Sequence, residues 1–583
     1  MSYFDDASLV MIPSGYKDQK VYSVKPLDGS GDLTFSRASS ATRVQSNGLI
    51  EKVRTNLALY SQDFSDATWY KELGNSVTAN TIANPLDGVV NADTITATAT
   101  NAINVNQLFT AAATSEYTYS IYLKKNNHDF IQPYIFSGGG FAARIEINLT
   151  DGTFTTLNGS GATVTSVGNG WYRATLIASL SSSATFTTGV LTSSTTGSRS
   201  VYVFGAQLET GVATAYIATT TAAVSVGPVS GLPRLDYLNS TCPRLLLEPQ
   251  RTNLTTDSET FAASTGTTIS LNNTASPDGY VNADKLVEDT STGVHQTFWV
   301  TSLGGSVDSS AYCISVFVKA AGRSRILVYD NNQTASGATT FDLSTGTIVS
   351  GGGKIENYGS GWYRCTIFPL KNFSTTSSAF IQLISTGTTT SYTGNGTSGV
   401  FLWGKQVEVG AYATSYIPTL GTSVTRVADM SGTTDYFGAQ TFAGNFTFFV
   451  DLLPMEGNTG TGDAMILGGG DYTGGGNFQS YFRFASGNII LRGVAEALLI
   501  ERNYTMTANQ QYKILVTRTG TTVKIFANGA QVGASATSST SVILRSLGWS
   551  YIQAAYNYDG RINQVLLMPS GLTDAQAIEL TTL

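Results

Sequence analysis

GNGWYRATL at 168–176 and GSGWYRCTI at 359–367 share a Gly-x-Gly-Trp-Tyr-Arg core whose second glycines lie 191 positions apart (361 − 170). Neighbouring landmarks recur in the same order. Arg54-Thr-Asn-Leu57 with Phe64 returns as Arg251-Thr-Asn-Leu254 with Phe261, and Asp87-Gly-x-Val-Asn-Ala-Asp93 returns as Asp278-Gly-x-Val-Asn-Ala-Asp284. Tyr117-x-x-Ser120 with Lys124 returns as Tyr312-x-x-Ser315 with Lys319, and Gly152-Thr153 as Gly346-Thr347. Gly205-x-Gln207-x-Glu209 with Ala213-Thr-x-Tyr216-Ile217 returns as Gly404-x-Gln406-x-Glu408 with Ala413-Thr-x-Tyr416-Ile417. Among these landmarks the offset reaches 199 (404 − 205), so insertions are small and fall between them. A ladder of this kind marks a duplicated domain, and function must be read copy by copy.

The 583 residues are too many for one core and suit several domains. Charged residues are only 13% while glycines number 60, so hydroxyls and glycine must cover much of the surface. The net charge of −7 has no basic cluster behind it, which argues against a nucleic-acid partner. Cys242, Cys313 and Cys365 form no CxxC, and His128 and His295 are the only histidines, so a His/Cys zinc site is excluded. Cys313 and Cys365 read as buried free thiols. The first residues, MSYFDDASLVMIPSGYKD, lack a basic stretch followed by an apolar core, and no segment approaches 18 apolar residues. The expectation is a chain made without a secretion signal and without a membrane span.

Alternation of period two dominates, as in Tyr117-Thr-Tyr-Ser-Ile-Tyr-Leu123 and Ala143-Arg-Ile-Glu-Ile-Asn-Leu149, with turn residues between runs. The fold class is therefore all-β, two tandem β-sandwiches followed by a further β-sandwich. The domain reading is an N-terminal segment 1–52, copy one at 53–220, a Pro-rich connector at 221–249, copy two at 250–429 and a distinct domain at 430–583. Residues 1–52 are too few for an independent core and must pack on another protein or elsewhere on this chain. Asn528-Gly529 predicts a type I′ hairpin, and Thr573 with Gln576 predicts a capping box opening a terminal helix.

In GWYR the adjacent Trp and Tyr must point to opposite faces of a strand. Trp171, Tyr172, Trp362 and Tyr363 are thus candidates for a ring on which a sugar stacks, or for core packing. Glycine-rich loops put Tyr472, Trp549 and Tyr556 in the same class. Gln207 with Glu209, and Gln406 with Glu408, share one face of a strand; with Asp63 or Glu259 they could make an oxygen-ligand calcium site, or simply a polar face.

Taken together, the RTNL, NAD, GWYR, G-x-Q-x-E and A-T-x-Y-I landmarks resemble the carbohydrate-binding-module-like jelly rolls of tail-fibre and head-spike proteins of tailed bacteriophages. SRASSATRV at 36–44, NGLIE at 47–51 and CPRLLLEPQRTNL at 242–254 are similar to segments of that virion-appendage family. TVKIFANGAQVG at 522–533 and LTDAQAIEL at 572–580 resemble concanavalin A-like laminin-G domains. The resemblance implies a virion protein assembled in the host cytoplasm, other virion proteins and host-surface polysaccharide as partners, a homo-oligomer with a trimer favoured, and a structural calcium in many such jelly rolls. The adjacent aspartates often seen on the last strand are missing here. Acids are sparse and mostly in turns, and there is no GxSxG beside a histidine, so no catalytic residue is expected. An architectural fibre, a glycan depolymerase and a bacterial adhesin remain as alternatives.

Overall fold

The structure is a computed structural model that describes residues 3–98, 100–111, 115–181, 183–192, 197–331, 337–372, 374–430, 437–455, 464–469, 480–485, 487–548 and 558–583. It is almost wholly β, and two compact units emerge, residues 53–227 and residues 1–52 with 228–583. Among the described residues no helix is long and apolar enough to cross a membrane.

Residues 53–227 form two six-stranded antiparallel sheets. The motif sheet runs Thr163–Gly168, Trp171–Leu180, Ser115–Lys125, Arg199–Thr210, Val90–Ala97, Asn75–Ala83. The opposite sheet runs Phe154–Asn158, Gly140–Asn148, Phe130–Ser137, Thr185–Leu191, Asn104–Thr110, Tyr70–Lys71. Alternate residues such as Tyr119, Ile121, Ile131, Ile145, Leu176 and Val203 meet between them, as period two demands. The second copy repeats the plan with a six-stranded motif sheet and a five-stranded opposite sheet. Register is the same in both. Ser120, Tyr122 and Lys124 face Gln207, Arg173 and Trp171, while Ser315, Phe317 and Lys319 face Gln406, Arg364 and Trp362.

The shared landmarks hold this fold together. Asn56 Nδ2 donates to the carbonyls of Ala206 (3.1 Å) and Ile217 (2.7 Å), and its Oδ1 accepts from the amides of Ala58 and Leu208 (both 3.0 Å). Asn253 does the same with Lys405, Ile417, Thr255 and Val407. Arg173 donates to Ser120 Oγ and the Thr214 carbonyl, and Arg364 to Ser315 Oγ and the Thr414 carbonyl. Asp93 accepts from the amides of Phe64 and Asn80, and Asp284 from those of Phe261 and Asn272. Gly152 and Gly346 adopt positive φ, and a Cβ would lie 2.3 Å from the Tyr172 ring and 2.6 Å from the Tyr363 ring.

The C-terminal sandwich is completed by distant segments. Its larger sheet centres on Gly560–Met568, which pairs with Phe446–Pro454 on one side. On the other side it pairs with Leu9–Met11 and with Arg244–Leu247. Leu9, Met11, Val21, Leu33, Phe35, Leu245 and Leu247 are buried in the core with Phe448, Ile514 and Leu567. Each such side chain contributes about 1.5–3 kcal/mol, so the N-terminal segment is held chiefly by apolar burial on its own chain. The stretch read as a connector is therefore partly sheet. Asn528 and Gly529 have φ of 47° and 82°, and the Thr573–Gln576 capping box opens the helix Asp574–Thr581, both as the sequence predicts.

A hairpin also precedes each copy. Arg43–Val44 pairs with Ile50–Glu51, and Leu235–Asp236 with Arg244–Leu247. Arg43 binds Glu51 at 2.6 Å, and Arg234, 191 positions on (234 − 43), binds Glu248 at 2.7 Å. The duplication thus reaches upstream of residues 53 and 250. In the second hairpin the ion pair grows into a buried network in which Asp429 joins Arg37 and Arg234, while Glu248 joins Arg234 and Arg426.

Candidate functional site

The structure corrects the motif-based expectations first. Trp171 packs with Ala92, Tyr122 and Phe204, and Trp362 with Ala283, Phe317 and Trp403, its Nε1 donating to the Ala275 carbonyl at 3.0 Å. Both indoles are buried, so neither is a surface on which a sugar can stack. Tyr172 and Tyr363 turn the other way, against the sandwich cores and over the glycines described above. Period two placed the rings on opposite faces correctly, but both faces are covered. Tyr472, Trp549 and Tyr556 lie outside the described residues.

The residues proposed for calcium do not fit a calcium site, because protein donors already occupy their oxygens. Glu209 accepts from the Thr214 amide (2.9 Å), the Thr214 hydroxyl and Gln207 Nε2 (2.7 Å), while Gln207 Oε1 accepts from the Ile217 amide. Glu408 and Gln406 repeat this clasp with Thr414 and Ile417. Asp63 accepts from the Ser65 amide in a local turn, and Glu259 binds Lys52 Nζ at 2.5 Å and Tyr416 Oη at 3.0 Å. Among the described residues no cluster of three or more His, Cys, Asp or Glu forms. Cys313 and Cys365 are buried free thiols, both pushed well up by burial. His295 is buried, with its ring nitrogens 2.7 and 3.1 Å from the carbonyls of Gly266 and Tyr392.

Because the shared landmarks are absorbed by the fold, sites must be sought where the copies differ. One such place is the outer face of each opposite sheet. In copy one a cross-strand row runs Tyr70, Asn106, Gly189, Tyr134, Arg144, Asn158. Tyr70 is 59% exposed, and Gly189 leaves the row without a side chain between Asn106 and Tyr134. Burial pushes the Tyr134 phenol up, and its hydroxyl is fixed by Asn104 Oδ1 at 3.0 Å. Arg144 stacks over Phe141 at 4.0 Å, and Gln132 donates to Glu146 at 2.7 Å. With Tyr134 buried, the accessible part of the row is the Tyr70 ring beside the Asn106 amide, a pairing that suits a ligand with both C–H faces and hydroxyls.

In copy two the row passes through Tyr329, ten residues after Lys319 just as Tyr134 is ten after Lys124 (329 − 319; 134 − 124). Here it reads Phe298, Phe380, Tyr329, three rings stacked at 5.0 Å with interplanar angles of 17° and 12°. Phe298 stands 42% exposed on the edge strand. One scaffold thus carries a polar row and an aromatic row. These residues escaped the motif search because they belong to no shared landmark; the signal was the outward half of alternating runs such as Gln296-Thr-Phe-Trp-Val-Thr-Ser302.

One buried carboxyl gives a pH prediction. Burial pushes Asp559 up to about 7, while Tyr412 Oη donates to it at 3.0 Å. The unfolded value is about 3.9, so the folded state binds the extra proton and stability falls as pH rises from about 4 through 7. Asp559→Asn keeps an acceptor for Tyr412 and should flatten that slope, recovering on the order of 4 kcal/mol above neutrality in urea titrations. A slope unchanged in the variant would assign it to another group.

No family model matches this chain, and no curated protein matches it. Among solved structures it is similar to the CBM40 of Ruminococcus gnavus IT-sialidase bound to α2,3-sialyllactose, at 14% identity over 24% of this chain and 84% of that one, with a TM-score of 0.21. Mouse laminin α1 chain domains LG4-5 match at 11% identity over 54% of this chain and 95% of that one, TM-score 0.16. Trypanosoma rangeli sialidase matches at 11% identity over 94% of this chain and 97% of that one, TM-score 0.19. Similarities this distant carry no argument about what the chain binds.

Proposed function

We propose that this chain is a structural appendage protein of a tailed-bacteriophage virion, a tail or head fibre or spike, whose jelly-roll modules bind host-surface glycan without cleaving it. The Tyr70 and Asn106 end of the row carries the binding reading, because at the edge of the sheet the 59% exposed Tyr70 ring stands beside the Asn106 amide, while Tyr134 further along is buried. The virion reading rests on the sequence resemblance across both copies and the C-terminal domain. A purely architectural fibre is the second reading, favoured by the structural use of the shared RTNL asparagine, NAD aspartate, GWYR arginine and G-x-Q-x-E glutamate.

The test is binding of the purified chain to host capsule or lipopolysaccharide, with newly formed reducing ends measured in parallel. Tyr70→Ala and Asn106→Ala should each weaken binding about tenfold while leaving the melting curve in place. Unchanged affinity in both would move the ligand off this face, and new reducing ends would overturn the non-enzymatic reading. Immuno-electron microscopy with an antibody to this chain should decorate particles at an appendage; unlabelled particles would remove the virion assignment.

A further inference from the structure

A second site lies where the two upstream hairpins meet. The turn at residues 45–48 and the segment 237–241 are the walls of a groove of about 630 Å³, closed on a third side by residues 357–359. That volume falls within the roughly 300–1,000 Å³ typical of small-molecule sites. The walls are fixed to one another. The Val44 amide donates to Asp236 Oδ1 at 2.9 Å, and the Tyr237 amide donates to the Val44 carbonyl at 2.9 Å. The first turn satisfies its own backbone through Gly48 N to the Gln45 carbonyl and Gln45 N to the Leu49 carbonyl, both 2.9 Å.

The chemistry of the lining is specific. Gln45, Ser46, Asn239 and Thr241 contribute amides and hydroxyls, Tyr237 and Tyr358 contribute rings, and no Asp, Glu, Lys or Arg lines the groove. The side chains of Gln45, Ser46, Asn239 and Thr241 make no hydrogen bond to any described residue, so their capacity faces the groove and solvent. The Tyr358 ring is held edge-on to Phe317 at 4.9 Å and 86°. Behind Tyr358 lies a charged pocket in which three of the four lining cations are matched by carboxylates. Arg43 binds Glu51 at 2.6 Å, Arg561 binds Asp236 at 2.7 Å and Lys354 binds Glu356 at 3.1 Å. The fourth, Arg364, donates to the Ser315 hydroxyl and the Thr414 carbonyl.

We infer that this groove binds an uncharged saccharide, its hydroxyls meeting Gln45, Asn239 and Thr241 and its C–H face meeting Tyr237. The inference rests on the proposed reading that the chain handles glycans, but it concerns a different surface and a charge class that the sheet face does not define. Two of the groove's three walls come from the hairpins ahead of the copies and the third, residues 357–359, from copy two, so the duplication supplies the facing walls.

The experiment is calorimetric titration of the full chain with lactose, maltose and N,N′-diacetylchitobiose as neutral probes and 3′-sialyllactose as the charged one. Host polysaccharide is titrated in parallel. Ser46→Trp, which fills the groove from an exposed position, and Tyr237→Ala should each weaken the neutral disaccharide that binds wild type about tenfold. Leu27→Ala, at a 92% exposed position that lines neither the groove nor the sheet row, should leave that titration unchanged, and far-ultraviolet melting should report all variants folded. Equal binding of the neutral probes by wild type and both groove variants would overturn the inference, as would preference for the sialylated probe. If no neutral probe binds while host polysaccharide does, the groove assignment falls and the glycan-binding reading stands. If neither binds, both fall.

Discussion

Asp429→Ala is expected to destabilise the unit formed by residues 1–52 and 228–583 by about 3–5 kcal/mol, the cost of stranding buried charges whose partner is removed. Asp429 Oδ1 binds Arg37 at 3.0 Å, its carboxylate also holds Arg234, and its Oδ2 accepts the Glu248 amide at 3.0 Å. All of these side chains are fully buried. Without Asp429, Arg234 and Arg426 would share the carboxylate of Glu248, and Arg37 would be left with the carbonyls of Ser39, Pro228 and Val229. The balance is already delicate. Burial lowers Arg37 to about 10 against the pull of Asp429. Burial also opposes ionisation of Glu248, yet Arg426 and Arg234 hold its carboxyl well below the usual carboxylate range. A depressed carboxyl contributes stability above its unfolded value of about 4.3 and loses it as pH falls, so the wild-type network should weaken in acid. Hydrogen exchange with mass spectrometry would check the variant segment by segment. Peptides from 228–455 should lose protection while those from 53–227 keep it. Loss of less than about 1 kcal/mol, the range of exposed pairs, would mean that water reaches the network.

How much of this was legible in the sequence differs by element. The duplication and its register were legible, because Ser120 opposite Gln207 and Ser315 opposite Gln406 follow from landmarks spaced alike in both copies. The burial of Trp171 and Trp362 was not, because alternation assigns a residue to a face without saying what covers that face. Gln207 and Glu209 show the same limit. Their shared side of the strand was correct, but the loop through Thr214 and Ile217 folds over it and takes up the polar atoms that suggested calcium. The pairing of Leu9 with Leu567 was invisible for another reason. A three-residue strand carries almost no periodic signal, and its partner lies at the far end of the chain. The groove shared this obscurity, since it exists only once residues 45–48 and 237–241 are brought together by tertiary contacts.

The second large effect is expected at the asparagines of RTNL, and it tests whether the shared landmarks are structural. Asn56→Ala should cost residues 53–227 about 3–4 kcal/mol, from hydrogen bonds that contribute about 1 kcal/mol each when lost in a buried setting. The side chain makes such bonds to Ala206, Ile217, Ala58 and Leu208, tying the entry of the sandwich to its last strand and the segment that follows. Alanine fills none of these roles, so buried amides and carbonyls are left without partners, the costlier half of the exchange. Thr55 provides the internal control. It neighbours Asn56, but among the described residues its hydroxyl meets Ser225 Oγ at 2.7 Å in an exposed position, so Thr55→Ala should change stability by no more than about 0.5 kcal/mol. The second copy offers the same pair in Asn253 and Thr252, the latter bonded to Thr425 Oγ1 at 2.8 Å. Asn253→Ala should lower the stability of the other unit by a similar amount, and urea titration of each variant with segment-resolved exchange reads the two separately. Small effects at both asparagines with equal effects at the threonines would break the link between repeat and clasp.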